Sequence, residues 1–167
     1  ISTSDISKNI AIGTGAAGAA IITPLGIAVK AASDYETSIA SLSAITGSTG
    51  NELQKFKQKV EEVADSQNMA YGETAKAFEL AGSAMPELLS SADALGKVSK
   101  AAIILSKASG EDLESSIRSL TGTMNQFSLG ANQSERTINV LAAGAKVGAA
   151  SIAQTAESMV NFGSVAA

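Results

Sequence analysis

The chain is expected to be all-α. About seven serial, amphipathic helices rich in Ala, Ser and Gly follow one another, as a helical bundle or as extended, coiled-coil-like helices in an assembly. Three observations predict this. Alanine, the best helix former, is the commonest residue at 31 of 167, followed by 23 serines. β-branched and aromatic runs of strand length are scarce. Apolar residues recur at helical spacing between Gly, Pro and capping residues.

Residues 9–29, flanked by Lys8 and Lys30, carry no charge and have the length of one membrane crossing. Ile10, Ile12, Ile21, Ile22, Leu25, Ile27 and Val29 would be the apolar positions of such a segment. Its glycines, Thr and Asn residues and Pro24 make it far less apolar than a Leu-rich span and favour a small-residue helix packed against protein. It does not read as a signal peptide, because the basic region before it is a single Lys. Residues 1–31 are thus an apolar lead-in, and 32–167 the main body.

Ala31–Ile45 continues the first helix, with Tyr35, Ile39 and Leu42 at helical spacing, until Gly47 to Gly50 ends it. Thr49 stands three before Glu52 as a capping box for a second helix, from Asn51 to about Asn68. Leu53, Phe56, Val60 and Val63 share one seam of it, and Lys57 and Glu61 pair on the other face. A third helix spans about Gly72 to Ala84, and Pro86 interrupts it or starts the next. A fourth covers about Glu87 to Lys107, with Leu88, Ala92, Leu95, Ala102 and Leu105 near a seven-residue repeat.

After Ser109-Gly110, Glu111 and Asp112 supply negative charge to the start of a fifth helix. Leu113, Ile117, Leu120, Met124 and Phe127 follow in steps of four and three, the spacing of a coiled-coil seam. The second- and fifth-helix seams are the candidate helix-packing and self-association residues. Asn132 with Glu135 opens a sixth helix to about Gly148. Ser151 with Gln154 opens a seventh, carrying Ile152, Ala156, Met159 and Gly163.

Composition excludes much chemistry. With no Cys and no His, zinc fingers, thiolate clusters, haem histidines and Ser-His-Asp triads are unavailable, so any metal site would be made of carboxylates. Net charge −4 and twelve scattered Lys and Arg leave no basic stripe, and no direct nucleic-acid binding is expected. Six aromatics, Phe56, Phe78, Phe127, Phe162, Tyr35 and Tyr71, leave small residues to fill the core. The absence of cysteine suits a reducing compartment or a large self-assembling particle.

Gly13-Thr14-Gly15-Ala16-Ala17-Gly18, with Asp34 and Glu36 about twenty residues on, has the letters of a dinucleotide fingerprint. The segment before Asp34 is not a β-branched strand, and Pro24 falls where the crossover helix should run. Close helix packing of the Gly15/Ala19 kind is the better reading. The carboxylate pairs Glu61-Glu62, Asp112-Glu114 and Asp34-Glu36 lie where helix charge is expected, and no serine has a G-x-S-x-G context. No catalytic residue and no cofactor is expected: the chain does not read as an enzyme.

From Ala32 onward the sequence resembles the core region of phage tail tape measure proteins of the lactococcal-phage type. ASDYETSIASLSAITG at 32–47 looks like the family's Ala-x-x-(Tyr/Phe)-Glu-x-x-(Ile/Met)-Ala opening. The charged helix ending in Asp65-Ser66 comes next, then ETAKAFELAGSA at 73–84, ASGEDLESSIRSLTGTMNQFSL at 108–129 and NVLAAGAKVGAASIAQTAESM at 139–159. The order covers roughly four fifths of the chain. Met85-Pro86 departs from it, following Ala81-Gly82 more closely than the family pattern suggests.

The resemblance implies a structural protein of a phage tail or a tail-like contractile particle, in the lumen of the virion's tail tube and in the host cytoplasm during assembly. Such proteins set tube length, leave ahead of the genome and help breach the host envelope. Implied partners are further copies of the chain, three or six with three preferred, the tail tube, baseplate or tail-tip hub proteins, a tail assembly chaperone and the host membrane. Two other classes share the composition: a membrane-inserting pore segment using 9–29, and a flagellin-like filament subunit, whose long terminal heptads the glycines here interrupt. Ile1 in place of Met, and a last stretch without a helix-ending signal, read as a segment of a longer protein.

Overall fold

The computed structural model describes residues 19–148 and 150–166. Among these there are seven α-helices, two 3-10 turns and no strand. The helices are α1 (Ala19–Thr46), α2 (Gly50–Gln67), α3 (Tyr71–Ala84), α4 (Ala92–Ser109), α5 (Leu113–Gln126), α6 (Ser134–Gly148) and α7 (Ile152–Ala166). Pro86–Ser90 and Ala131–Gln133 form the 3-10 turns. The all-α expectation holds, and the helices fold back on each other as a bundle.

α4 is the axis, packing against α2, α3, α5 and α6. It buries Leu95, Gly96, Val98, Ser99, Ala101, Ala102, Ile103 and Leu105, more than half a turn of its circumference. α1 rests on α3 and runs in the same direction, since Gly72 abuts Asp34 and Tyr35 while Gly82 approaches Ile45. α7 closes the far side against α5 and α6. One core runs through all seven helices, from Ile39 and Leu42 to Ile152 and Ala156.

The filling is small, as composition requires. An alanine buries one methyl, about 0.8 kcal/mol, against about 1.5–3 kcal/mol for Leu or Phe. Ala64, Ala75, Ala77, Ala81, Ala101, Ala102 and Ala156 nonetheless make up much of the core. The buried threonine hydroxyls are satisfied one turn back: Thr74 donates to the Ala70 carbonyl, Thr121 to Ile117, Thr123 to Ser119 and Thr137 to Gln133. The buried Ser99 and Ser116 hydroxyls have no hydrogen-bond partner among the described residues.

α1 is one continuous helix through Pro24, and it continues over Ala31–Ile45 as expected. Several expected caps and pairs differ. Thr49 makes no side-chain cap bond to α2, and Glu52 instead accepts from Lys55 at 2.7 Å. Lys57 and Glu61 do not form the expected pair: Glu61 accepts from the Tyr35 hydroxyl at 3.2 Å, and the ion pairs within α2 are Lys55–Glu52 and Lys59–Glu62. The expected fourth helix is split by the 3-10 turn, and Ser91, accepting from the Ala94 amide at 3.2 Å, caps α4 afresh.

Asp112 caps α5, accepting from the Ser115 amide at 2.9 Å and its hydroxyl at 2.7 Å. These bonds, the hydroxyl first, hold the Asp112 carboxyl below its ordinary range. Glu111 does not serve α5: its carboxylate accepts from the Ala153 amide at 3.3 Å, in the first turn of α7. The expected cap from Asn132 to Glu135 is absent; Gln133 accepts from the Gly130 amide at 3.2 Å, and Asn132 accepts from Lys97 at 2.6 Å. The Ser151–Gln154 capping box forms as expected, with reciprocal bonds of 3.0 and 3.1 Å.

The α1–α3 contact contains both tyrosines, with ring centroids 6.0 Å apart. Burial, then the Glu61 charge, pushes the Tyr35 phenol up to about 12. A hydrogen bond to Asp65 raises Tyr71 as well. The fold favours the neutral phenol, so this stabilisation is complete below the ordinary pKa of 10.0 and disappears as pH rises through about 12. Titrated by phenolate absorbance, both tyrosines should ionise above 10.0, Tyr35 last, and Glu61→Gln should bring Tyr35 down. Two phenols ionising together at their ordinary value would mean that α1 is not seated on α3.

Candidate interaction surface

Five of the six carboxylates singled out above are engaged structurally, and the sixth, Glu36, is exposed. Asp34 pairs with Lys30 at 2.7 Å, Glu62 with Lys59 at 2.5 Å and Glu114 with Arg118 at 2.8 Å. Glu61 accepts from Tyr35, and Asp112 caps α5. Among the described residues no group of three or more acidic side chains is placed to hold a metal ion. The Gly13–Gly18 motif lies outside the described residues.

Ile10 and Ile12 of the apolar lead-in also lie outside them, while Ile21, Ile22, Leu25, Ile27 and Val29 fall within α1. Among the described residues no helix is long and apolar enough to cross a membrane.

The two seams are buried inside the chain itself. Phe56, Val60 and Val63 on α2, and Ile117, Leu120 and Met124 on α5, are core residues, with Leu53 and Leu113 half-buried against them. Those side chains cannot reach a second copy while the bundle is closed. Phe127 is the exception, 41% exposed. The α5 helix stops at Gln126 because the chain turns through Ser128, at φ 51°, and the Leu129 amide bonds the Met124 carbonyl at 2.8 Å. The seam spacing continues to Phe127, but the helix carrying it does not.

What remains exposed is the outer face of the α6–α7 hairpin. Phe127, Leu129, Val140 and Met159 line a depression of about 270 Å³, with Arg136 at its rim. Val140 is 42% exposed and Val147, one heptad further along α6, 88%. Phe162, three residues past Met159 on α7, is 72% exposed. Among the described residues, four of the five large hydrophobics that stay exposed, Phe127, Val140, Val147 and Phe162, belong to or border this hairpin, and clustered exposed apolar side chains mark contact surfaces. α6 and α7 are closely joined, since a Cβ on Gly144 would lie 2.8 Å from the Thr155 methyl, and α7 is as close to α5, where one on Gly163 would lie 2.6 Å from Gln126.

The fold and this surface define a helical structural module whose exposed chemistry is that of a contact face. Residues 89–167, which span α4 to α7, match the phage-related minor tail protein family, and the match supports a phage tail protein, a component of the virion. The segments at 108–129 and 139–159 that resemble tape measure proteins fall within the matched region, and those at 32–47 and 73–84 precede it. Neither a curated protein nor a solved structure matches the chain.

Proposed function

We propose that this chain is a segment of the tape measure of a phage tail or tail-like particle, a non-catalytic ruler that fixes tube length and leaves on ejection. The observation that carries the reading is the tail-protein match over residues 89–167, joined to tape-measure-like segments in the same order. Physical support comes from the core. Small side chains bury little area each, so the bundle can be drawn into serial helix at modest cost, and a helix adds about 1.5 Å per residue. Several copies, tube and tip proteins, and an assembly chaperone are the partners of this reading.

The test is tail length by electron microscopy in particles whose full-length gene carries an in-frame duplication of about 40 residues within 110–150. Tails longer by roughly 60 Å are expected if this segment lies as helix along the tube. Tails of unchanged length would place the segment outside the measuring tract, as a module that stays folded.

A further inference from the structure

α1 is held differently from the other helices. It packs on α3 and, beyond that, meets the 3-10 turn at Pro86–Ser90, whereas α2 to α7 each pack against two or more helices. α2 adds one polar bond, accepted by Glu61 from the Tyr35 hydroxyl. Among the described side chains of α1, Ile39 and Leu42 are the buried apolar ones, while α4 buries Leu95, Val98, Ile103 and Leu105 besides its small residues. The α1–α3 contact also has a wet edge. An open depression of about 800 Å³ runs beside it, and its lining residues Asp34, Thr37, Glu73 and Lys76 are all exposed.

The connection from α1 to α2 is fastened on one side and loose on the other. Ser43 Oγ donates to the Ser48 carbonyl at 2.8 Å, and the Ser48 amide donates to Thr46 Oγ1 at 3.1 Å, so the chain as far as Ser48 is tied to the end of α1. Thr49 makes no side-chain bond to α2, and its carbonyl meets the Leu53 amide only at 3.5 Å. Gly50 follows at φ 55°, with nothing within 4 Å of where a Cβ would stand. Glycine passes between left-handed and extended backbone at little steric cost, so a change of direction falls at Thr49–Gly50.

We propose that α1 is a hinged strap: it swings off α3 as a unit about Thr49–Gly50 while α2 to α7 stay folded, uncovering the side of α3 between Gly72 and Gly82. Elements with few buried apolar contacts and exposed edges open first. The opening is a property of the folded chain. Its use, as the step that begins drawing the bundle into serial helix, rests on the tape-measure reading. The two can fail separately, because opening is measured on the free chain and tail length on particles.

The experiment is amide hydrogen exchange of the 167-residue chain, followed by nuclear magnetic resonance where exchange reports equilibrium opening. The amides of 39–46 should share one opening and exchange about a hundredfold faster than those of 95–105 in α4. Ile117 is buried on α5, a helix on which α1 does not pack. Ile117→Val should speed the α4 amides about fivefold and leave 39–46 unchanged, because the strap opens without breaking that core. A thiol clasp gives the converse. A Cβ on Gly72 would lie 3.4 Å from the Asp34 Cβ, close to disulfide spacing, and the chain has no cysteine of its own. Oxidised Asp34→Cys/Gly72→Cys should slow 39–46 to the rate of α4, and reduction should restore the difference. Amides of 39–46 that exchange no faster than α4, that are graded along the helix as in fraying, that speed up together with α4 in Ile117→Val, or that ignore the closed clasp would overturn the proposal.

Discussion

Replacing Phe78 by alanine is expected to cost about 3–5 kcal/mol, the largest loss from any single truncation in this fold. Phe78 is fully buried on α3 and is one of only four phenylalanines. Its ring tip comes within 3.6 Å of where a Cβ on Gly96 of α4 would lie. The surrounding residues, Ala75, Ala77 and Ala81 among them, are too short to collapse into the space, so the cavity stays open and its cost is not relieved. Marginal domains have about 5–15 kcal/mol in total, and an alanine-filled core argues for the lower part of that range. Urea unfolding followed by circular dichroism should show a midpoint lowered by at least a third. A shift corresponding to less than about 1 kcal/mol would mean that Phe78 is not at the centre of the packing.

The number, order and class of the helices were legible in the sequence because each start or stop is a local event. Gly47 and Gly110 both take positive φ, and Asp112 and Ser151 act as caps where their side chains reach the next turn. Cap chemistry failed where the backbone moved the donor. At Thr49 the following glycine adopts φ 55°, and the threonine makes no cap bond. At Asn132 the carboxamide is drawn to Lys97, thirty-five residues away, a contact that no local pattern carries. The split before α4 was hidden because Leu88, Ala92 and Leu95 keep helical spacing across Ser91.

The interaction surface was less legible, and for a different reason. A seam at heptad spacing says that one face is apolar, but not whether the cover comes from the same chain or from another. On α2 and α5 the cover is internal. The stripe that stays open on α6, at Arg136, Val140, Ala143 and Val147, is a weak hydrophobic signal because it carries only two large apolar residues and one charge. Glu111 is a parallel case: its acidic character marked a helix start correctly, yet the helix it serves begins at Ile152.

The central claim is that the α5 seam packs within its own chain, and Leu120→Ala tests it most directly. Leu120 is fully buried in the middle of that seam, so truncation should cost about 2–5 kcal/mol. The measurement is urea unfolding of Leu120→Ala against the wild type at two protein concentrations about a hundredfold apart. Packing in cis predicts the same loss and the same midpoints at both concentrations. A loss below about 1 kcal/mol, or midpoints that climb with concentration, would contradict the account by showing that the seam is covered by another copy.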